Sequence, residues 1–498
     1  MQNFYQFFKK NFFLFLALLS ASAISLLLYR NYFPDDLFIH LRFAQNLVSG
    51  KGWSFNPNEP TYGTTSPLWI LLLSLTSFLS KNLILNAKVM GIIFMWGSLI
   101  MFNSLSKLIL EERKFANLAT LIFAIDPWFI RWSISGMEVP LTIFLLLLGF
   151  YLYLGNKKRE SRFAVPMILG LATLSRPECG MLIILLLIDR LIAYGLRFKT
   201  IKIMARDLLL FLLVYFPWLL YARKTFGTII PNTALAKAFS RHILSDFFVV
   251  LKEIAEVLFS GYLIESLIIL YLLILLSLNL RRNWPKIVSD FKRYFLVYSW
   301  TLAVPIFYLL QSVYTGGRYM LISTVFIVII GFKALKSILT KVDFSEREIK
   351  IFTCVIVLLF IQLILLNAFF YPLARNGGIV SIREVYIYIG EWLSVNTPPD
   401  ATIAIFDIGA VGYYSNRKII DLAGLINPDA LKYKGKFSYL LKTKPDYYVG
   451  AGSFPLEAMK DKRVNRFLIP IFTRHHLGYG PGTPQGFFVT VYRCNFDL

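Results

Sequence analysis

The chain has 498 residues, of which 57% are hydrophobic and only 16% charged, and it carries a net charge of +23. That balance is too apolar for an ordinary soluble protein of this length. Lys and Arg gather in clusters between apolar runs, which is how membrane topology is written, so the positive charge argues against nucleic acid as a partner. Cys179, Cys354 and Cys494 lie far apart, with no CxxC pair, so neither a metal site nor a disulfide framework is expected.

In chain order, Lys9 and Lys10 precede an apolar run from Phe12 to about Leu28. A cleaved signal has an apolar region of about 7–15 residues. This run is longer and reads as an uncleaved first membrane helix. Basic clusters then mark cytoplasmic loops: KLILEERK (107–114), KKRESR (157–162), RFKTIKIMAR (197–206), RRNWPKIVSDFKR (281–293) and 333–350. Threading apolar runs between them predicts helices near 12–30, 84–106, 115–131, 138–154, 163–175, 180–196, 207–223, 258–280, 294–311, 319–338 and 351–371. That makes about eleven spans and leaves everything beyond Tyr371 outside. Pro67–Ser80 is about half a crossing length, since a span needs about 20 residues. It reads as an interfacial helix within a long first outer loop, 31–83. The run 163–175 is also short, and a short helix at membrane depth is tolerated where it lines a cavity.

From about residue 379 the material changes. IREVYIYIGEWL has helical spacing, whereas TIAIF, KII, DYYVG and FFVTVY read as short strands between Gly and Pro turns. The expected fold class is a polytopic α-helical membrane protein, 1–378, followed by a small soluble α/β domain, 379–498, outside the membrane.

This topology collects polar residues on the outer face. The first loop holds Asp35, Asp36, His40 and Arg42, then Trp53, Asn56, Glu59 and Tyr62. Later loops add Arg131 and Glu138, then Arg176 and Glu178, then Arg223, Lys224, Asn232 and Lys237, and lastly Tyr314 and Arg318. Carboxylates and cations that converge at a membrane surface suggest a polar site at the mouth of an apolar bundle. Sugar transfer from a polyprenyl phosphate needs such parts: a base for the incoming hydroxyl, a cation for the departing phosphate and an apolar groove for the lipid. A single displacement of this kind inverts the anomeric centre. No Walker A or dinucleotide-binding pattern occurs in a strand–turn–helix context.

Six stretches carry a resemblance: DDLFIHLRFAQNLVSGKGWSFNP, YGTTSPLW, SGMEVPL, LSRPE, FGTIIPNTALAK and DIGAVGYYSNRKIIDLAGLINP. Their order along nearly the whole chain resembles the GT-C superfamily of integral-membrane glycosyltransferases. The nearer likeness is to the branch of the mycobacterial terminal arabinofuranosyltransferases and their bacterial relatives. Met137 stands where that branch has Leu, and Cys179 where Gly usually follows RPE. The resemblance implies a polyprenyl-phosphate sugar donor, a glycan, lipid or protein acceptor, an outward-facing site in the plasma (inner) membrane, and a first-loop carboxylate as base. Carried over, the catalytic role falls on Asp35, with Asp36 as neighbour or alternate. Donor-phosphate or substrate contacts fall on Arg42, Arg131, Glu138, Arg176, Glu178, Asn232, Lys237, Tyr314 and Arg318.

Each assignment has a plainer rival. Asp35 and Asp36 also suit a helix N-terminus, Glu138 a cap, and Arg176 and Glu178 a mutual pair. Basic loop residues also suit lipid headgroups. Two glycines before Arg318 would let the backbone approach a ligand. His40 reads as packed or hydrogen-bonded rather than metal-bound. His475 and His476 are expected in a glycine-rich loop. No metal or other cofactor is expected. A transporter or flippase of lipid-linked sugars and a non-enzymatic assembly protein are the competing functions, although no internal repeat supports transport.

Overall fold

The computed structural model describes residues 2–155, 163–239, 243–278, 280–312, 317–339, 346–374, 382–433, 438–451, 466–476 and 487–496. The helices in chain order begin with α1 (Gln2–Leu28), α2 (Asp35–Val48), α3 (Pro67–Thr76), α4 (Leu83–Leu110) and α5 (Arg113–Ala124). Next come α6 (Pro127–Ser133), α7 (Val139–Gly155), α8 (Ala164–Ser175), α9 (Met181–Tyr194) and α10 (Phe198–Phe226). They are followed by α11 (Asn232–Phe239), α12 (Ile243–Gly261), α13 (Leu263–Ser277), α14 (Leu280–Arg293) and α15 (Phe295–Gln311). The last membrane-type helices are α16 (Leu321–Leu339) and α17 (Glu346–Ala374), and the tail adds α18 (Ile387–Asn396), α19 (Ile408–Ser415) and α20 (Ser438–Thr443).

Among the described residues, four helices are by length and composition long and apolar enough to cross a membrane, or up to six if each of two bent pairs is one span. The expected count of eleven is therefore not established, and local chemistry explains where the helices divide. The expected helix 115–131 breaks at Asp126–Pro127. Pro cannot continue a helix, and Asp126 starts the next one by accepting the Phe129 N–H at 2.9 Å. The expected helix 258–280 breaks at Tyr262, where α12 meets α13 at 97°, and α14 meets α15 at 78°. The α3 helix has ten residues. It buries Trp69, Ile70 and Leu73, and the Trp69 indole donates to the Gly136 carbonyl at 3.0 Å. Exposed Leu213, Phe216 and Leu220 on α10 are the kind of surface a bilayer covers.

Among the described residues, three of the basic stretches, those around Glu111, Arg293 and Lys336, meet at one end of the bundle. There Arg293 pairs with Glu111 at 2.8 Å and Lys336 with Glu112 at 3.1 Å. The other end carries the first loop and the tail.

The tail contains β1 (Thr402–Ile405), β2 (Lys418–Asp421), β3 (Tyr447–Ala451), β4 (Leu468–His476) and β5 (Phe487–Cys494) in sheet order β2-β1-β3-β5-β4. The first three strands pair in parallel and β5 pairs antiparallel to β3 and β4. Strand β4 was not expected, because Pro470 interrupts its run, and the ladder shifts register between Pro470 and Phe472. His475 and His476 lie on this strand, opposite Phe488 and Phe487, not in a loop.

Candidate active site

The tail docks on α2 through α19. The N-cap position of α2 is Pro34, and neither aspartate caps its own helix. Asp35 instead caps α19 from outside. Its Oδ2 accepts the Gly409 N–H and its Oδ1 the Ala410 N–H, each at 2.8 Å. Asp407, the N-cap residue of α19, makes no cap of its own and accepts the Tyr386 hydroxyl at 2.7 Å. Glycine is required at 409, since a Cβ there would sit 2.1 Å from the Asp35 carbonyl oxygen. Burial, followed by the nearby Asp407 charge, pushes the Asp35 carboxyl up to about 7 against the pull of the two N–H groups.

Other first-loop residues extend this seam. Arg42 donates to the Asn416 side chain at 2.8 Å and to the Phe55 carbonyl at 3.3 Å. The Asn56 amide exchanges two hydrogen bonds with the Ile419 backbone, both 2.9 Å, and so covers the edge of β2. The Thr61 hydroxyl donates to the Ile426 carbonyl at 3.2 Å. Asn232 donates to Thr61 Oγ1 and the Leu425 carbonyl, both at 3.2 Å. Asp421 accepts the N–H groups of Ala423 and Ile426 at 2.7 Å. That turn carries Leu425 to the wall of a cavity.

The cavity has a volume of about 420 Å³. Its polar wall comes from Asp36 and His40 of α2, Thr64, Thr65 and Ser66 of the first loop, Glu138, Arg176, Glu178, Thr233, Tyr308, Gln311, Arg318 and Tyr319. Its apolar wall includes Ile39, Met137, Met181, Phe307 and Leu425. Asp36 pairs with Arg318. Arg318 also lies 5.0 Å from the Tyr319 ring centre and 5.5 Å from that of Trp132. Burial works against the Arg318 charge, but Tyr319 and Asp36 outweigh it and hold the group above its ordinary value.

Arg176 is a buried hub. It donates to Glu178 at 2.7 Å and to Glu138 at 2.8 Å, and stacks 4.3 Å from the Tyr319 ring. Burial opposes its charge, yet Glu178 and Glu138 raise its pKa well above the ordinary value. Burial would likewise raise Glu178, but Arg176 overrides it and keeps the carboxylate below its usual range. Tyr308 donates to the same Glu178 oxygen at 2.8 Å. Burial lowers the His40 pKa although Glu138 and Asp36 pull the other way, so its imidazole is neutral at pH 7.

Among the described residues, four buried polar atoms on this wall have no hydrogen-bond partner: His40 Nδ1, Ser66 Oγ, Glu138 Oε2 and Thr233 Oγ1. His40 Nδ1 and Glu138 Oε2 are 4.0 Å apart, too far for a hydrogen bond. Leaving such groups unsatisfied costs about 1–3 kcal/mol each, so the wall is complementary to a ligand rich in donors and acceptors.

The structure thus sorts the sequence candidates. Asp36, Glu138, Arg176, Glu178 and Arg318 come together. Asp35, Arg42 and Asn232 do not line the cavity; each holds the seam. Arg131 is buried among Tyr32, Trp128 and Trp132, 4.7 Å from the Trp128 ring, and also lies off the wall. Tyr314 and the Lys237 side chain lie outside the described residues. Sequence reasoning set His40 aside as a packing residue and passed over Thr64, Thr65, Ser66, Thr233, Tyr308 and Tyr319. The quoted motifs YGTTSPLW, FGTIIPNTALAK and the stretch SVYTGGRYM contain all but Tyr308.

Arg176 sits between Glu138 and Glu178, and the two adjacent aspartates turn to different partners. Among the described residues no group of three His, Cys, Asp or Glu is arranged to hold a metal ion.

Comparison with known proteins agrees at the level of fold. Residues 380–489 match a family model described as a domain of unknown function, DUF8728. No curated protein matches the sequence significantly. Among solved structures, the chain is similar to the archaeal oligosaccharyltransferase AglB from Archaeoglobus fulgidus, in complex with an inhibitory peptide and a dolichol-phosphate. The TM-score is 0.60 at 14% identity, over 98% of this chain and 75% of that one. It is also similar to ArnT from Cupriavidus metallidurans bound to undecaprenyl phosphate. There the TM-score is 0.55 at 11% identity, over 96% of this chain and 97% of that one.

Proposed function

With the fold of these GT-C proteins as premise, we propose that the protein is an integral-membrane glycosyltransferase. It moves one sugar from a polyprenyl-phosphate donor to a hydroxyl acceptor, with inversion, on the outer face of the plasma membrane. The carrying observation is the cavity in which Asp36 pairs with Arg318 beside four unpartnered polar atoms. AglB and ArnT, whose structures hold dolichol-phosphate and undecaprenyl phosphate, support a lipid-phosphate donor. The six ordered motifs favour the branch of the mycobacterial terminal arabinofuranosyltransferases. The meeting of three described basic stretches at the far end of the bundle supports an outward-facing cavity.

In this reading Asp36, not Asp35, is the base. Asp35 has both oxygens committed to α19. Arg176 is already committed to Glu138 and Glu178, so Arg318 is the better phosphate clamp. An incoming donor phosphate draws Arg318 away and frees the Asp36 carboxylate. The acceptor oxygen then attacks the anomeric carbon as its proton passes to Asp36, and the bond to the phosphate oxygen breaks. The charge left on the polyprenyl phosphate rests on Arg318, with Lys237 and Tyr314 retained as further donor-side contacts. His40, Ser66, Glu138 and Thr233 hold sugar hydroxyls. Residues 1–378 supply the membrane part, and 379–498 the outer domain that closes the cavity through Leu425.

The test is Asp36→Asn, assayed for sugar transfer and for donor binding. Lost transfer with retained donor binding supports the enzyme. Unchanged transfer removes it, and loss of sugar-lipid translocation alone would favour a flippase. Chelation by EDTA is expected to leave turnover intact.

A further inference from the structure

A second cavity, of about 580 Å³, lies at the opposite end of α9 and α10, between the last turn of one and the first turn of the other. The two sites are separated by the length of α9, whose first residue, Met181, lines the candidate active site and whose last, Tyr194, lines this cavity. Four cations face it: Arg190, Arg197, Lys199 and Arg206. No acidic residue is among its described lining residues.

Arg190 is only 2% exposed. Its Nε donates to Asp207 at 3.1 Å and its guanidinium lies 5.1 Å from the Tyr153 ring centre, but its Nη2 has no hydrogen-bond partner among the described residues. Asp207 is fully buried and shared between Arg190 and Arg206, and Asp189 also lies close enough to Arg190 to act on its charge, so these two carboxylates face two of the four cations. Lys199 and Thr200 lie in the first turn of a 29-residue helix, after an extended Arg197 that supplies no side-chain cap. First-turn N–H groups have no intrahelical acceptor, and the helix dipole favours an anion there. A buried, half-satisfied guanidinium, three further cations and a helix N-terminus around one cavity is a phosphate-binding arrangement.

The rim says which phosphate. Leu196 is 81% exposed and Phe198 73%. Ile184 and Ile188 on α9 and Ile201 on α10 are also exposed. In a bilayer acyl chains cover this apolar rim, so the phosphate held next to them is that of a lipid headgroup. We infer that this pocket binds the phosphate of an anionic phospholipid headgroup, with the acyl chains lying along the exposed apolar faces of α9 and α10. The inference does not depend on glycosyl transfer.

Native mass spectrometry of the full chain in detergent, titrated with phosphatidylglycerol, phosphatidylcholine or inorganic phosphate, tests it. Phosphatidylglycerol should bind in preference to phosphatidylcholine, and inorganic phosphate should displace it only at far higher concentration. The exposed pair Arg197→Gln/Lys199→Gln should weaken phosphatidylglycerol binding by at least about tenfold, at roughly one charge's worth of attraction per residue, with Tm unchanged. Arg197→Lys/Lys199→Arg should restore it. Equal binding of both lipids, wild-type binding by the Gln pair, or tighter binding of inorganic phosphate than of the lipid would each overturn the inference.

Discussion

Two regions meet along α2, and they differ in how their polar groups are satisfied. On the tail side, Asp35, Arg42, Asn56 and Asn232 all have partners at 2.8–3.3 Å. On the cavity side, His40, Ser66, Glu138 and Thr233 each leave a buried polar atom unmatched. Folding pays for unmatched groups wherever they are buried, so a concentration of them on one wall marks where a ligand supplies the missing half. The contrast separates the two adjacent aspartates: Asp35 holds the tail against α2, and Asp36 faces the cavity.

The sharpest way to break this comparison is to exchange the roles. Asp36→Asn should cut transfer by about 10²–10⁴-fold, the usual worth of a positioned base, without lowering Tm. Asp35→Asn should lower Tm while costing less than about tenfold in rate. The reverse pattern in paired turnover and thermal melts would refute the assignment. Next in size is Arg176→Met, which strands Glu138 and Glu178 as buried charges and should destabilise by about 3–5 kcal/mol. A melt within a degree of wild type would show that the hub is not needed for stability.

Gly409→Ala sharpens the tail side. The added methyl meets the Asp35 backbone, and overpacking of this kind costs about 1–3 kcal/mol. Limited proteolysis should then release the tail faster while the membrane part stays folded. The smallest effect is on pH. Asp35 titrates at about 7 in the folded protein against 3.8 as its ordinary value. A raised carboxyl pKa means the folded state binds more protons between these values. The seam is therefore strongest in acid, loses stability as pH rises from about 4 through 7, and levels off above. Hydrogen exchange at 409–413, corrected for intrinsic rates, should show weaker protection at pH 8 than at pH 6, and Asp35→Asn should flatten the difference.

The apolar runs, the basic clusters between them and the change of texture near residue 379 were legible from the chain, because hydropathy and strand alternation are local properties. Four of the five strands were legible for the same reason; β4 was hidden by Pro470. Hydropathy alone ran each of 115–131 and 258–280 together as one helix, although the chain breaks at Asp126–Pro127, where an N-cap and a proline start a new helix, and at Tyr262, whereas the boundary at Tyr294 was expected. Even so, the sequence by itself determined which residues could form a site: DD, GME, RPE and GGR were visible as polar interruptions of a greasy chain. Only the tertiary structure decided which of them do. Asp35 and Asp36 are chemically identical neighbours. Roughly 100° of helical rotation per residue points one at Gly409 of the tail and the other at Arg318, and no composition or spacing distinguishes them until residues more than two hundred positions away have been brought alongside.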